Sequence, residues 1–305
     1  MRIVFMGTPA IAATCLRRLH DDGWEIAAVY TKPDTPKNRG MKLAMSEVKT
    51  LALELGLPVY QPASFKDDGV VEELRALRPD LILVVAYGKI LPQRVLDIPP
   101  LGCVNLHASL LPALRGSGPV QWAILNGLDE TGVTAMYMAA EMDAGDIIAT
   151  RKTAIDPLET SGQLLERLAE LGAPLLSETV RAIADGTVTR TPQDPGQVTF
   201  APMLTKDMAP IDWSRTDRQI VDHVRGLIPW PVATTQLDGR RFKIYRVAYT
   251  DKTTAKAPGT LLALHKGGLD VACGGGRVVT IQELQAEGGK RMAAPDYFRG
   301  HPISL

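Results

Sequence analysis

Asn105 and His107 stand two residues apart in the run Asn105-Leu106-His107-Ala108-Ser109-Leu110-Leu111-Pro112, which continues into Arg115-Gly116-Ser117-Gly118-Pro119. On a strand, a spacing of two puts both side chains on one face. Open α/β sheets hold ligands beyond the carboxyl ends of their strands, so such a pair would face a pocket. An amide can donate a hydrogen bond to a developing oxyanion, and an imidazole can take and return a proton near neutral pH. The combination suits acyl transfer. A second constellation, Glu141-Met142-Asp143-Ala144-Gly145-Asp146, reads as an acidic turn between strands at 133–138 and 147–151. One of its carboxylates could orient His107, fix its tautomer, or hold a water that relays protons. On spacing alone Asp143 and Asp146 are equal candidates. Taken singly, each residue has a plainer role: a satisfied core histidine, a turn-forming asparagine, a solvated loop carboxylate.

The elements that must position these groups follow from the apolar pattern. Short apolar runs at 3–6, 26–30, 59–61, 81–86 and 103–106 alternate with helix-like stretches at 11–20, 46–55, 70–77 and 120–125. Such alternation needs crossover connections and predicts a Rossmann-like, mainly parallel sheet covered on both faces. Gly7-Thr8-Pro9 follows the first strand where a dinucleotide loop would sit. The G-x-G-x-x-G spacing is missing, which favours a plain strand-to-helix turn over a pyrophosphate cradle. A further helix is expected over 161–184. Residues 186–204 carry Gly186, Pro192, Pro195, Gly196 and Pro202, and read as a linker. After a helix near 219–227, period-two alternation such as Arg241-Phe242-Lys243-Ile244-Tyr245-Arg246-Val247, broken by glycine turns, predicts a small antiparallel β-barrel of the OB type. The expected organisation is thus a catalytic domain over 1–185, a linker over 186–204 and a β-domain over 205–305.

Charge adds a partner class. The chain holds 34 Lys+Arg and 34 Asp+Glu, yet residues 201–305 carry 15 against 10 and residues 1–200 carry 19 against 24. A basic C-terminal part fits an anionic polymer gripped mainly by that part, although an ordinary solvated surface explains the excess equally well. Lys37, Arg39 and Lys42 sit in a basic, Pro- and Gly-bearing insertion after the second strand. Arg240, Arg241 and Lys243 cluster near a hairpin. Cys15, Cys103 and Cys273 are odd in number and lack C-x-x-C spacing, which argues against a disulfide framework and against a zinc site. The expectation is a protein without a targeting segment or membrane span, soluble and cytoplasmic.

The Asn-x-His pair and the M-D-A-G-D loop, with I-V-F-M-G-T-P, K-P-D-T-P-K-N-R-G-M-K-L, V-V-A-Y-G-K-I-L-P, I-D-W-S and P-W-P, resemble the folate-dependent formyltransferases, and within them the branch acting on methionyl-tRNA. The resemblance spans nearly the whole chain. It implies transfer of a formyl group from 10-formyltetrahydrofolate, without a metal, to the amino group of methionyl initiator tRNA; a monomer is expected. It implies a catalytic trio of Asn105, His107 and Asp143. It places folate against Val85, Tyr87, Gly88, Ser109, Leu110, Leu111, Pro112 and Glu141. It implies tRNA contacts from Lys37, Arg39 and Lys42, with Arg240, Arg241 and Lys243 as further candidates; Asn38 stands where relatives often carry Gly. Rival readings are a formyltransferase acting on another amine, such as glycinamide ribonucleotide or an amino sugar, and a catalytically silent RNA-binding module.

Overall fold

The computed structural model describes residues 1–37 and 42–305. In chain order the elements are β1 (Arg2–Gly7), α1 (Ala10–Asp21), β2 (Glu25–Tyr30), β3 (Thr35–Lys37), β4 (Lys42–Ala44), α2 (Glu47–Glu54), β5 (Val59–Tyr60), α3 (Asp68–Ala76), β6 (Leu81–Val85) and α4 (Gln93–Leu96). Then come β7 (Cys103–His107), α5 (Pro119–Leu125), β8 (Glu130–Tyr137), β9 (Ile147–Ala154) and α6 (Ser161–Ala184). The remainder holds α7 (Asp217–Gly226), β10 (Ala233–Leu237), β11 (Arg240–Thr253), β12 (Leu261–His265), β13 (Gly268–Cys273), β14 (Arg277–Ala286), β15 (Met292–Ala293) and α8 (Ala294–Gly300).

Two compact units emerge. One comprises residues 1–119, 131–153 and 165–201; the other comprises 120–130, 154–164 and 202–305. The first is built on a seven-stranded sheet of order β5-β2-β1-β6-β7-β8-β9. From β5 to β7 the pairing is parallel, and β8 runs antiparallel to β7. β1 and β6 are apolar and buried nearly throughout, as parallel strands covered on both faces must be. Gly7 ends β1 where any Cβ would stand 2.5 Å from that of Ala12 and 2.8 Å from the Phe5 ring, so a glycine lets α1 close onto the sheet. The glycine thus serves the close packing of α1 on the sheet.

The second unit is all antiparallel in its sheet, ordered β10-β11-β14-β13-β12 with β15 beside β14. Along β11 the burial alternates: Phe242 and Ile244 are buried while Arg241 and Lys243 are exposed. A bulge at Arg246 resets the parity, so that Val247 turns inward again. α7 opens with a capping box between Thr216 and Gln219, and its Ile220, Val221 and Val224 pack into the core formed with Phe242, Leu269, Ile281 and Phe298.

Candidate active site

β7 lies between β6 and β8, and its register sets Asn105 beside Val84 on one side and Met136 on the other, with His107 opposite Thr134. Asn105 is half-buried, and its side-chain amide makes no hydrogen bond within the described residues. His107 is buried, 6% exposed. Its Nε2 is 2.9 Å from the carbonyl oxygen of Leu114. A carbonyl only accepts, so Nε2 carries a hydrogen and donates it. Nδ1 is the nitrogen turned toward Asp143, 3.8 Å from Oδ2. That separation is too long for a hydrogen bond, so the carboxylate faces the ring without bonding it.

Each partner of His107 is itself held. Leu114 takes the left-handed backbone, φ +61°, and its N–H donates to Thr199 Oγ1 at 2.8 Å. Arg115 bonds through its N–H to the Thr199 carbonyl and accepts from the Ala201 N–H, so residues 199–201 lie alongside the loop. Gly116, φ +117°, donates its N–H to Asp143 Oδ2 at 2.8 Å; a Cβ there would stand 2.7 Å from the Ala201 oxygen. Asp143 is left-handed at φ +53°, an uncommon state for a residue with a side chain. Asp146 lies in the same turn but contributes its carbonyl, which accepts from the Tyr137 N–H.

The expected folate residues fall in three places. Val85 ends β6, and Tyr87 and Gly88 form the turn after it, with Ala86 and Gly88 both at positive φ. Thr8 donates its hydroxyl to the Tyr87 carbonyl and so pins that turn to the one after β1. Ser109 is buried, and its Oγ donates to the Ala113 carbonyl at 2.6 Å. Thr134 donates to the Ser109 carbonyl and accepts from the Leu111 N–H. Leu110 and Pro112 are half-buried, and the Leu111–Pro112 peptide is cis. Glu141 is exposed and accepts from Arg115 at 3.2 Å. The strand order β1-β6-β7 brings the first two groups to one edge of the sheet, while Arg115 links the third to the His107 loop.

Two residues at this site had no counterpart in the sequence reading. Gln193 accepts twice from Arg115 and donates to the carbonyls of Asp143 and Gly145. Thr199 holds Leu114. Both come from the Pro- and Gly-bearing stretch expected as a linker, and no local pattern marks a contact across 50 or 85 residues.

Of the expected basic contacts, Arg39 lies outside the described residues, and for Lys37 and Lys42 the backbone alone is described, paired across the β3–β4 hairpin. Arg240 donates to the Pro302 carbonyl and sits over the Phe298 ring. Arg241 and Lys243 point outward and have no ion-pair partner among the described residues. Cys15 and Cys103 are buried, and burial pushes each thiol up to about 12, which leaves neither a nucleophile near neutral pH. Among the described residues no group of His, Cys, Asp and Glu is arranged to hold a metal, and no helix is long and apolar enough to cross a membrane.

Residues 1–180 match the model of the family described as formyl transferase, and residues 203–302 match that of its C-terminal domain. A methionyl-tRNA formyltransferase of Acetivibrio thermocellus is 47% identical over 304 residues, covering 99% of this chain and 97% of the relative. One of Geotalea uraniireducens is also 47% identical, covering 100% and 96%. Among solved structures the sugar 3N-formyl transferase WlaRD, crystallised in the presence of dTDP and 5-N-formyl-THF, aligns with TM-score 0.69 at 16% identity, over 94% of this chain and 97% of that one. This last likeness speaks to fold alone.

Proposed function

This chain belongs to the formyl transferase family, and on that premise we propose that it transfers the formyl group of 10-formyltetrahydrofolate to the amino group of methionine on initiator tRNA. The observation that carries the chemistry is the setting of His107, whose ring is fixed by the Leu114 carbonyl on one side and faced by Asp143 on the other, two residues along the strand from Asn105, whose amide bonds none of the described residues.

The methionyl nitrogen attacks the formyl carbon, and the carbonyl electron pair moves onto oxygen. Asn105 donates to that oxyanion, an interaction stronger in the transition state than in the ground state. With Nε2 committed to Leu114, Nδ1 is the nitrogen of His107 free to serve the reacting atoms. Asp143 stabilises a proton held on Nδ1 and receives the one that the attacking amine sheds. The bond from carbon to N10 then breaks as the oxyanion collapses, and N10 takes a proton. The balance is one formyl group moved to the amine and one proton moved to N10.

Folate is held in this reading by the turn at Val85, Tyr87 and Gly88, by Ser109, Leu110, Leu111 and Pro112, and by Glu141. Those stretches offer mainly backbone donors and acceptors, which suit a flat heterocycle. Lys37, Arg39, Lys42, Arg240, Arg241 and Lys243 bind tRNA phosphates, and the enzyme works as a cytoplasmic monomer. The test supplies labelled 10-formyltetrahydrofolate with methionyl initiator tRNA, methionyl elongator tRNA or glycinamide ribonucleotide. Label should pass to the initiator species alone; preferential labelling of glycinamide ribonucleotide would refute the assignment.

A further inference from the structure

The turn that carries Asp143 does not hold itself. Asp143 is left-handed, a conformation that residues with a side chain adopt uncommonly. Gly145 sits where a Cβ would be 1.8 Å from the Tyr137 carbonyl oxygen, so the turn is pressed against β8. Met142 and Glu141 project into solvent. Within the turn the Ala144 N–H reaches the Glu141 carbonyl at 3.4 Å and the Gly116 N–H holds the Asp143 carboxylate, which leaves the peptide carbonyls of Asp143 and Gly145 to be supported from outside.

Gln193 supplies the missing clamp. Its Nε2 donates to the carbonyls of Asp143 and Gly145, both at 2.8 Å, bracketing the strained peptide from outside the turn. Its Oε1 accepts from Arg115 Nε at 3.1 Å and Nη2 at 2.8 Å. A guanidinium only donates and a carbonyl only accepts, so a flipped amide would lose all four bonds. The amide orientation is fixed from both ends. Arg115 is only 8% exposed at its side chain, which keeps water from competing for these bonds. The stretch bearing Gln193 is itself anchored by reciprocal backbone bonds between Thr191 and Ile147 at 2.8 and 2.9 Å, and by Thr199 and Ala201 against Leu114 and Arg115.

We infer that Gln193 is a positioning residue for formyl transfer: clamped by Arg115, it holds the Asp143 peptide in the conformation that sets the carboxylate against His107. The inference rests on the functional reading above, in which Asp143 serves the reaction. Gln193 touches no reacting atom; it acts through Asp143.

Two variants separate its parts. Gln193→Glu keeps an acceptor for Arg115 and turns an oxygen toward the two carbonyls, whereas Gln193→Met removes both functions at nearly constant volume. Each should lower kcat for formyl transfer by roughly 10- to 100-fold, the range typical of residues that orient a reactive group. KM for tRNA should stay within about twofold, because its proposed contacts are carried by other segments of the chain. Introduced into an Asp143→Ala protein, Gln193→Glu should cost nothing further, since its route to the chemistry is already gone. Wild-type kcat in both variants, or a full additional loss in the Asp143→Ala background, would overturn the inference. A readout free of the acceptor is the pair of His107 imidazole ¹⁵N shifts. Gln193→Glu should move them in the direction that Asp143→Ala does, and unmoved shifts would overturn the inference as well. If the shifts respond but no tRNA is formylated, the assignment of the acceptor fails and the positioning role stands.

Discussion

The loop cluster around His107 and the outer face of β11 use polar residues in opposite ways. At the first, His107, Asp143, Arg115 and Gln193 are bonded to one another or to named backbone groups, and several of those groups sit in uncommon backbone conformations. On the second, Arg241 and Lys243 simply face outward on a regular strand, with Phe242 and Ile244 supporting them from the core side. Chemistry needs atoms fixed to fractions of an ångström, because proximity and orientation supply much of the rate. Attraction to a phosphate backbone needs only charge at a surface. The contrast predicts which substitutions change turnover and which change binding.

The largest effects should come from the fixed cluster. Asn105→Ala should lower kcat by about 10²- to 10³-fold, the cost of losing one oxyanion donor, with folate binding unchanged. His107→Asn should cost about 10²- to 10⁴-fold. Steady-state kinetics check both, and near-normal turnover in either would break the first half of the comparison. Next in size is the open face: Arg241→Ala with Lys243→Ala should raise the KM for tRNA while kcat at saturation stays put, and should flatten the dependence of log affinity on log salt by about 2. A fallen kcat with an unchanged salt slope would place these residues in the chemistry instead.

The smallest effect sharpens the contrast inside the second unit. The Asp270 carboxylate is buried there and accepts from Lys252 at 2.5 Å, Thr280 at 2.6 Å and His265 at 2.9 Å. Burial works to raise its pKa, but these three partners outweigh burial and hold it below the ordinary 3.8. A depressed carboxylate contributes stability that is present above its unfolded pKa and lost as the pH falls through the folded one. Asp270→Asn should therefore destabilise the protein by about 1–3 kcal/mol near neutral pH, and the variant should match the wild type more closely as the pH drops below 3.8. Urea unfolding at several pH values measures this; a destabilisation that grows toward acid would show the sign to be wrong.

The fold was readable because its signals are local. The runs at β1, β6 and β7 are apolar enough to mark buried strands, and the alternation along β11 names its two faces directly. Asn105 and His107 were readable as a pair because period two is a property of any strand. The choice between Asp143 and Asp146 was not open to spacing: it depends on the turn taken at Asp143, which φ +53° decides and composition does not. Gln193 was invisible for a related reason. Its partners lie 50 and 78 residues away, and the prolines and glycines around it look the same in a flexible connection as in a strap bonded along its length.

The most direct measurement is single-turnover formylation of methionyl initiator tRNA with enzyme in excess, comparing the wild type with His107→Asn and with the Arg241→Ala, Lys243→Ala double variant. Saturating enzyme removes the binding contribution, so the double variant should react at the wild-type rate and His107→Asn should remain slower by at least about 100-fold. Equal rates for His107→Asn and the wild type would contradict the account, for the formyl group would then be moved by something other than the cluster built around that histidine.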